Sequence, residues 1–316
     1  MPLILNETDT FDGTEAVCVG YDDLAVQAQG FGGRQASSWD QRFFQVINPE
    51  RGIAVTNNSA LELEEIHNVR HAHTFSQIRY FHRGSMKFGR DVVEEGDLQF
   101  VGDSVKYGPM GSIENPTTRC HMLQTQFTGP ANRPFLDQTL ISRTTEELAK
   151  RGVFDNGVYR PDGGRPMDSF EAITVAIERG TLELTGEEKV EYARPRLLHP
   201  VYVRTGEIPW RPLREGVEVK HVLNMYETGP NVKLVRLAEG AVLPAATVDF
   251  QQTRWLIEGA VSWGGAGSGT VFEAVSCMYY PHDVEYPATR SERDGTVLLI
   301  LQWTNHDRPM LPFLQL

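Results

Sequence analysis

Two stretches of this chain repeat one another, and a chain that repeats itself over such a distance folds as two similar units. Residues 77–89 (QIRYFHRGSMKFG) and 252–264 (QTRWLIEGAVSWG) share a glutamine, an arginine, an aromatic residue, two glycines and a second aromatic at a constant offset of 175 residues. The correspondence continues in order, with Tyr107 matching Tyr286, Gln126 matching Gln302 and Arg133 matching Arg308. The copies then differ where chemistry is carried. Six and four residues before the shared glutamine the first copy has His71 and His73, whereas the second has Ala246 and Val248. Activity is therefore expected in the N-terminal copy, with the C-terminal copy a non-catalytic scaffold.

A chain of 316 residues is long enough for two domains, each with its own core. The net charge of -12, from 30 basic and 42 acidic residues, disfavours nucleic acid, whose phosphates require a positive face. A small, anionic organic molecule is the expected partner. No apolar run approaches the roughly 20 residues of a membrane helix, and the start MPLILNETDTFDG lacks the basic and apolar regions of a secretion signal. No membrane and a cytoplasmic location are the expectation. Cys18, Cys120 and Cys277 show neither metal spacing nor a disulfide framework, and no glycine-rich phosphate loop indicates a nucleotide cofactor.

Short strand-length runs separated by Asn, Gly and Pro fill residues 41–129 (FFQVI, GIAV, ALELEEI, residues 71–80, DLQFV, MLQTQF) and resume over 217–316 (VEVKHVL, NVKLVRL, QTRWLI, TVFEAV, TVLLILQW). Between them, residues 130–216 form a connector rich in loop and helix. Thr144 with Glu147, and Asp168 with Glu171, have capping-box spacing, which predicts helices over TTEELAKRG and DSFEAITVAIERG. Residues 1–40 form an N-terminal arm. The expected fold is mainly β, with two barrels joined by a helix-containing connector.

Residues two apart on a strand face the same way, so His71 and His73 are expected to converge and grip a metal by their imidazoles, with Gln77 and Arg79 on the same side. The buried Arg79 needs an anion, either a protein carboxylate or the carboxylate of a substrate. Tyr107 can serve as a proton donor facing a histidine.

The series His71, Ala72, His73, Gln77, Gly84 is similar to the first motif of the cupin superfamily, which runs HxH, three or four residues, Glu, six residues, Gly. Gly96 and Asp97 before LQFV resemble the start of the second cupin motif, whose histidine falls at Tyr107. The resemblance covers both strand-rich regions and implies a bicupin of jelly-roll barrels, similar to gentisate-type aromatic-acid dioxygenases. It implies Fe(II) or another divalent transition metal held by His71, His73 and Gln77, with Arg79 neutralising an aromatic or enolic acid and Tyr107 replacing the third metal histidine. A homodimer or higher homo-oligomer is also expected. Two alternatives stay open: a metal-free isomerase, cyclase or lyase using histidine and Tyr107 as base and acid, and a non-catalytic binding or structural bicupin.

Overall fold

The computed structural model describes residues 10–11, 13–23, 26–29, 39–46, 55–63, 67–68, 70, 72–73, 75–111, 120–127, 138–155, 157–179, 194–225, 229–264 and 270–304. They are mainly β, with two α-helices. The chain divides into two compact units, one mainly from Ser59–Tyr202 and the other mainly from Val203–Leu316, which also takes in Val17–Val19. Among the described residues no helix is long and apolar enough to cross a membrane.

In the N-terminal unit the larger sheet, which also takes in strands from before Ser59, runs in the order Thr10–Phe11, Trp39–Val46, Val55–Leu63, Cys120–Phe127, Ser76–Arg83, Leu98–Val101, Val201–Val203, with Val26–Gln29 also paired to Trp39–Val46. Its smaller sheet runs His67–Asn68, Met110–Gly111, Met86–Phe88, Asp91–Val93. From Trp39–Val46 onward the C-terminal unit repeats this order, while its own first strand, Arg211–Arg214, pairs antiparallel with Val217–Asn224 where Thr10–Phe11 pairs parallel with Trp39–Val46. Its larger sheet is Val217–Asn224, Asn231–Leu237, Thr296–Thr304, Phe250–Glu258, Cys277–Tyr280, Val17–Val19, and its smaller sheet is Val242–Leu243, Thr289–Ser291, Ala260–Trp263, Val271–Glu273. In both units the last strand of the larger sheet comes from the segment that precedes the other unit's repeat. Such an edge carries backbone groups that need partners wherever they come from.

Alternation sets the core. In Ser76–Arg83, Phe81 joins Met86, Phe88, Val93, Val101, Met110, Cys120 and Met122, drawn from both sheets of the N-terminal unit. Gln77 and Arg79 share the parity of Phe81 and so face the same interior. The opposite face of this strand, with Ser76, Ile78 and Tyr80, is also buried. In the C-terminal unit Val217, Val219, Val235, Leu237, Leu256, Met278, Leu298 and Ile300 from the larger sheet pack with Leu243 and Val261 from the smaller. Gly84, at φ 73°, supplies the positive-φ position at the end of Ser76–Arg83 from which the chain turns into Met86–Phe88.

The connector contains more β-structure than its sequence indicates. The helices are Gln138–Ala149, which starts before the expected Thr144 cap, and Ser169–Arg179, where Glu171 N–H donates to Asp168 Oδ1 at 3.2 Å as the capping pattern requires. Between them lies a three-stranded sheet, Gly152–Asp155, Val158–Pro161 and Met167–Asp168, packed on Leu148, Ala172, Ile173, Ala176 and Ile177. Gly152 is required there, since a Cβ would stand 2.3 Å from the Arg160 carbonyl oxygen.

Candidate functional site

Arg79 organises the interior of the N-terminal unit. It sits in the middle of Ser76–Arg83, flanked in register by Gln124 on one neighbouring strand and Gln99 on the other. A guanidinium that is only 5% exposed must satisfy its donors locally. Nε donates to Gln124 Oε1 at 2.8 Å, Nη1 to Gln99 Oε1 at 2.8 Å, and Nη2 to Gln77 Oε1 at 3.1 Å and to the Tyr107 hydroxyl at 2.7 Å. Among the described residues no carboxylate pairs with Arg79. Of the two anions expected, a protein carboxylate is not the partner; three amide oxygens and a phenol solvate the cation without neutralising it.

Tyr107 completes the arrangement. Its hydroxyl oxygen has two lone pairs and one hydrogen. Arg79 Nη2 and, at 3.0 Å, Gln77 Nε2 both donate to it, and His73 Nε2 stands 2.9 Å away, within reach of the phenol's own hydrogen. A neutral His73 that accepts it at Nε2 carries its own hydrogen on Nδ1. The phenol ring is 2% exposed and lies under the guanidinium, 4.9 Å from its carbon to the ring centroid. His73 is partly exposed and stacks on the buried Phe75 with centroids 4.5 Å apart. The couple therefore has one member in the interior and one within reach of solvent.

Of the residues expected at the site, the structure brings His73, Gln77, Arg79 and Tyr107 together, while His71 lies outside the described residues. His73 precedes the strand rather than lying on it, because strand pairing begins at Ser76. The i, i+2 rule that was expected to align the two histidines therefore does not govern His73. His82 and His121 form a separate pair, Nδ1 to Nδ1 at 3.0 Å. Burial first, and then the positive neighbours His82 and Arg83, hold His121 down to about 4.

Three participants were missed from sequence. Gln99 and Gln124 stand at inward positions of their strands, a signal that becomes legible once the row containing Arg79 is known. Tyr202, in Val201–Val203, packs on the interior cluster with its ring centroid 6.4 Å from Phe88. Burial pushes its phenol up, opposed by a hydrogen bond with Gln99 and by Arg79. Tyr202 reaches the site from beyond the connector, so the spacing of the repeat does not reveal it.

The fit of these residues to a divalent metal follows from their lone pairs. His73 Nε2 is taken by the phenol, Gln77 Oε1 accepts from Arg79, and a guanidinium bears on the phenol oxygen. Among the described residues no three His, Cys, Asp or Glu side chains converge as a metal site would require. The described donors His73, Gln77 and Tyr107 thus have lone pairs already engaged, while His71, the remaining expected ligand, lies outside the described residues.

Comparison with known proteins places the fold. Residues 198–305 match the family model of the ChrR Cupin-like domain, a stretch that omits His73, Arg79 and Tyr107. No curated protein matches the chain. Among solved structures, a putative dioxygenase from Nostoc punctiforme is similar over 96% of this chain and 87% of its own, at 10% identity and a TM-score of 0.61. An oxalate decarboxylase of Bacillus subtilis, described with Mn(II) centres, is similar over 95% of this chain and 80% of its own, at 17% identity and a TM-score of 0.53. The bacterial pirin YhhW of Escherichia coli, in complex with nickel(II), is similar over 92% of this chain and 99% of its own, at 10% identity and a TM-score of 0.50. At these identities the likeness establishes a cupin-like fold.

Proposed function

We propose that the N-terminal unit is an acid–base catalytic centre acting on a small organic acid, with Tyr107 and His73 as the proton-exchanging couple. The observation that carries this reading is the Tyr107 hydroxyl, which accepts from Arg79 Nη2 and Gln77 Nε2 and lies 2.9 Å from His73 Nε2. When Tyr107 gives its proton to a substrate, the negative charge developing on its oxygen meets Arg79 Nη2 and Gln77 Nε2 in a site largely closed to water. His73, partly exposed, takes a proton from the substrate at Nε2 and passes it to that oxygen. Arg79 acts through Tyr107 and, as an unneutralised buried charge, draws an anion toward the site. Proton relocation of this kind serves isomerisation, cyclisation or elimination without a change of oxidation state.

The two units are read as two cupin barrels in one chain, supported by their common strand order and by the match over 198–305. A second reading, a metal-dependent oxygenase with Fe(II) or a related ion at His71, His73 and Gln77, is favoured by the HxH spacing and by relatives described as a putative dioxygenase or with Mn(II) or nickel(II). Elemental analysis of protein prepared without a metal-affinity tag separates the two. Activity that survives chelation and falls in Tyr107→Phe supports the acid–base centre. Stoichiometric metal that is lost in both His71→Ala and His73→Ala supports the oxygenase and contradicts the acid–base centre.

A further inference from the structure

The C-terminal unit buries the counterpart of this arginine under different conditions. Arg254, 1% exposed, donates from Nε to Gln252 Oε1 at 2.8 Å and stands over the rings of Tyr280 and Tyr286, at 4.5 Å and 5.1 Å. Its register neighbours are Ile300 and Met278, in the places where Gln124 and Gln99 brace Arg79. Without those two amides Nη1 of Arg254 is buried with no hydrogen-bond partner. Among the described residues no carboxylate pairs with it.

The unsatisfied groups gather at one end of the inner face. Parity turns Asn231 and Lys233 to the same side as Val235 and Leu237 in the core, and Gln252 and Arg254 to the same side as Leu256. Lys233, 2% exposed, donates to Gln302 Oε1 at 2.8 Å. Its ammonium is held down to about 8, by burial first and by Arg254 second. Gln252 Nε2 and both polar atoms of the Asn231 amide are also buried without a partner. Two cations and two amide NH2 groups thus face one interior, and a buried guanidinium donor left unmatched is costly in the absence of an anion.

We infer that this end of the C-terminal unit is a binding site for a small oxyanion, a carboxylate or its inorganic equivalent, held by Arg254 and Lys233 with Gln252 and Asn231 as neutral donors. The inference stands apart from the chemistry assigned to the N-terminal unit, since it uses none of its residues. The N-terminal counterpart explains the difference: amide oxygens from Gln124 and Gln99 fill there the place that a ligand's oxygens take here.

Thermal unfolding of the full chain in formate, acetate, oxalate, sulfate or phosphate, each against chloride at matched ionic strength, tests the inference. A midpoint raised by carboxylates or by inorganic oxyanions, but not by chloride, is expected, and the stronger series names the ligand class. The rise should vanish in Arg254→Gln. It should also fall at least tenfold in apparent affinity in Ile300→Gln, which supplies the guanidinium with the amide found in the other unit and so does not depend on removing a buried cation. No rise in the unaltered protein, an equal rise with chloride, or a rise kept in both variants overturns the inference.

Discussion

Arg79 and Arg254 occupy the same position on the same strand of two units with the same strand order, yet only one is braced. Gln99 and Gln124 in the N-terminal unit are Met278 and Ile300 in the C-terminal unit, and those two exchanges alter what the arginine can do. A guanidinium held by three amides is a fixed part of the protein, oriented to polarise Tyr107. A guanidinium over two aromatic rings with a free Nη1 donor is a group awaiting a partner. Duplication preserved the charge, and its neighbours decide whether it serves catalysis or binding.

The contrast can be broken most sharply at the tyrosines. Tyr107→Phe removes the proton donor but keeps the ring under Arg79, and a loss of about 100-fold to 10000-fold in kcat is expected. Tyr286→Phe should leave kcat unchanged, and equal losses in the two variants would end the distinction between the units. At the arginines, Arg79→Met strands Gln77, Gln99, Gln124 and Tyr107, so urea unfolding should show a loss of about 3 kcal/mol or more. Arg254→Met strands mainly the Gln252 oxygen beside apolar neighbours, and a loss of about 1 kcal/mol or less is expected in chloride. A reversed order would show that bracing is not what separates them.

The smallest expected effect concerns pH. His82 and His121 of the N-terminal unit correspond to Ile257 and Val297 in the other, so an acid-sensitive pair exists in one copy alone. With His121 held near 4 against an ordinary 6.5, the unfolded chain takes up a proton before the folded one does. Its contribution is fully present above pH about 6.5, declines as pH falls toward about 4 and is lost below that. Allowing for the partial exposure of the ring, about 2 kcal/mol is at stake. His82→Ile combined with His121→Val should flatten the stability profile across this range, as followed by urea midpoints from pH 4 to 7.

Much of this architecture was legible because alternation and repetition are local or periodic signals. The parity that sets Gln77 and Arg79 on one side, and the pairing of Tyr107 with Tyr286, follow from spacing alone. The strands Val17–Val19 and Val201–Val203 were not legible, because each is three residues long and completes a sheet formed far away in the chain. The hairpin at Val153 and Tyr159 was hidden by strands of four residues read as loop. At the site, the helper residues escaped notice because Gln99 and Gln124 gain meaning only when two neighbouring strands are placed in register. His73 lies just before the strand that its spacing implies, and its bond to the Tyr107 phenol joins residues 34 apart, which spacing along one strand does not reveal.

The proton between Tyr107 and His73 is the point on which the account turns, and nitrogen-15 NMR of the histidine rings observes it directly. The account predicts that the ring signal lost in His73→Gln belongs to a neutral imidazole protonated at Nδ1, with Nε2 an acceptor whose shift moves in Tyr107→Phe. A His73 protonated at Nε2, or carrying a metal there, would contradict it.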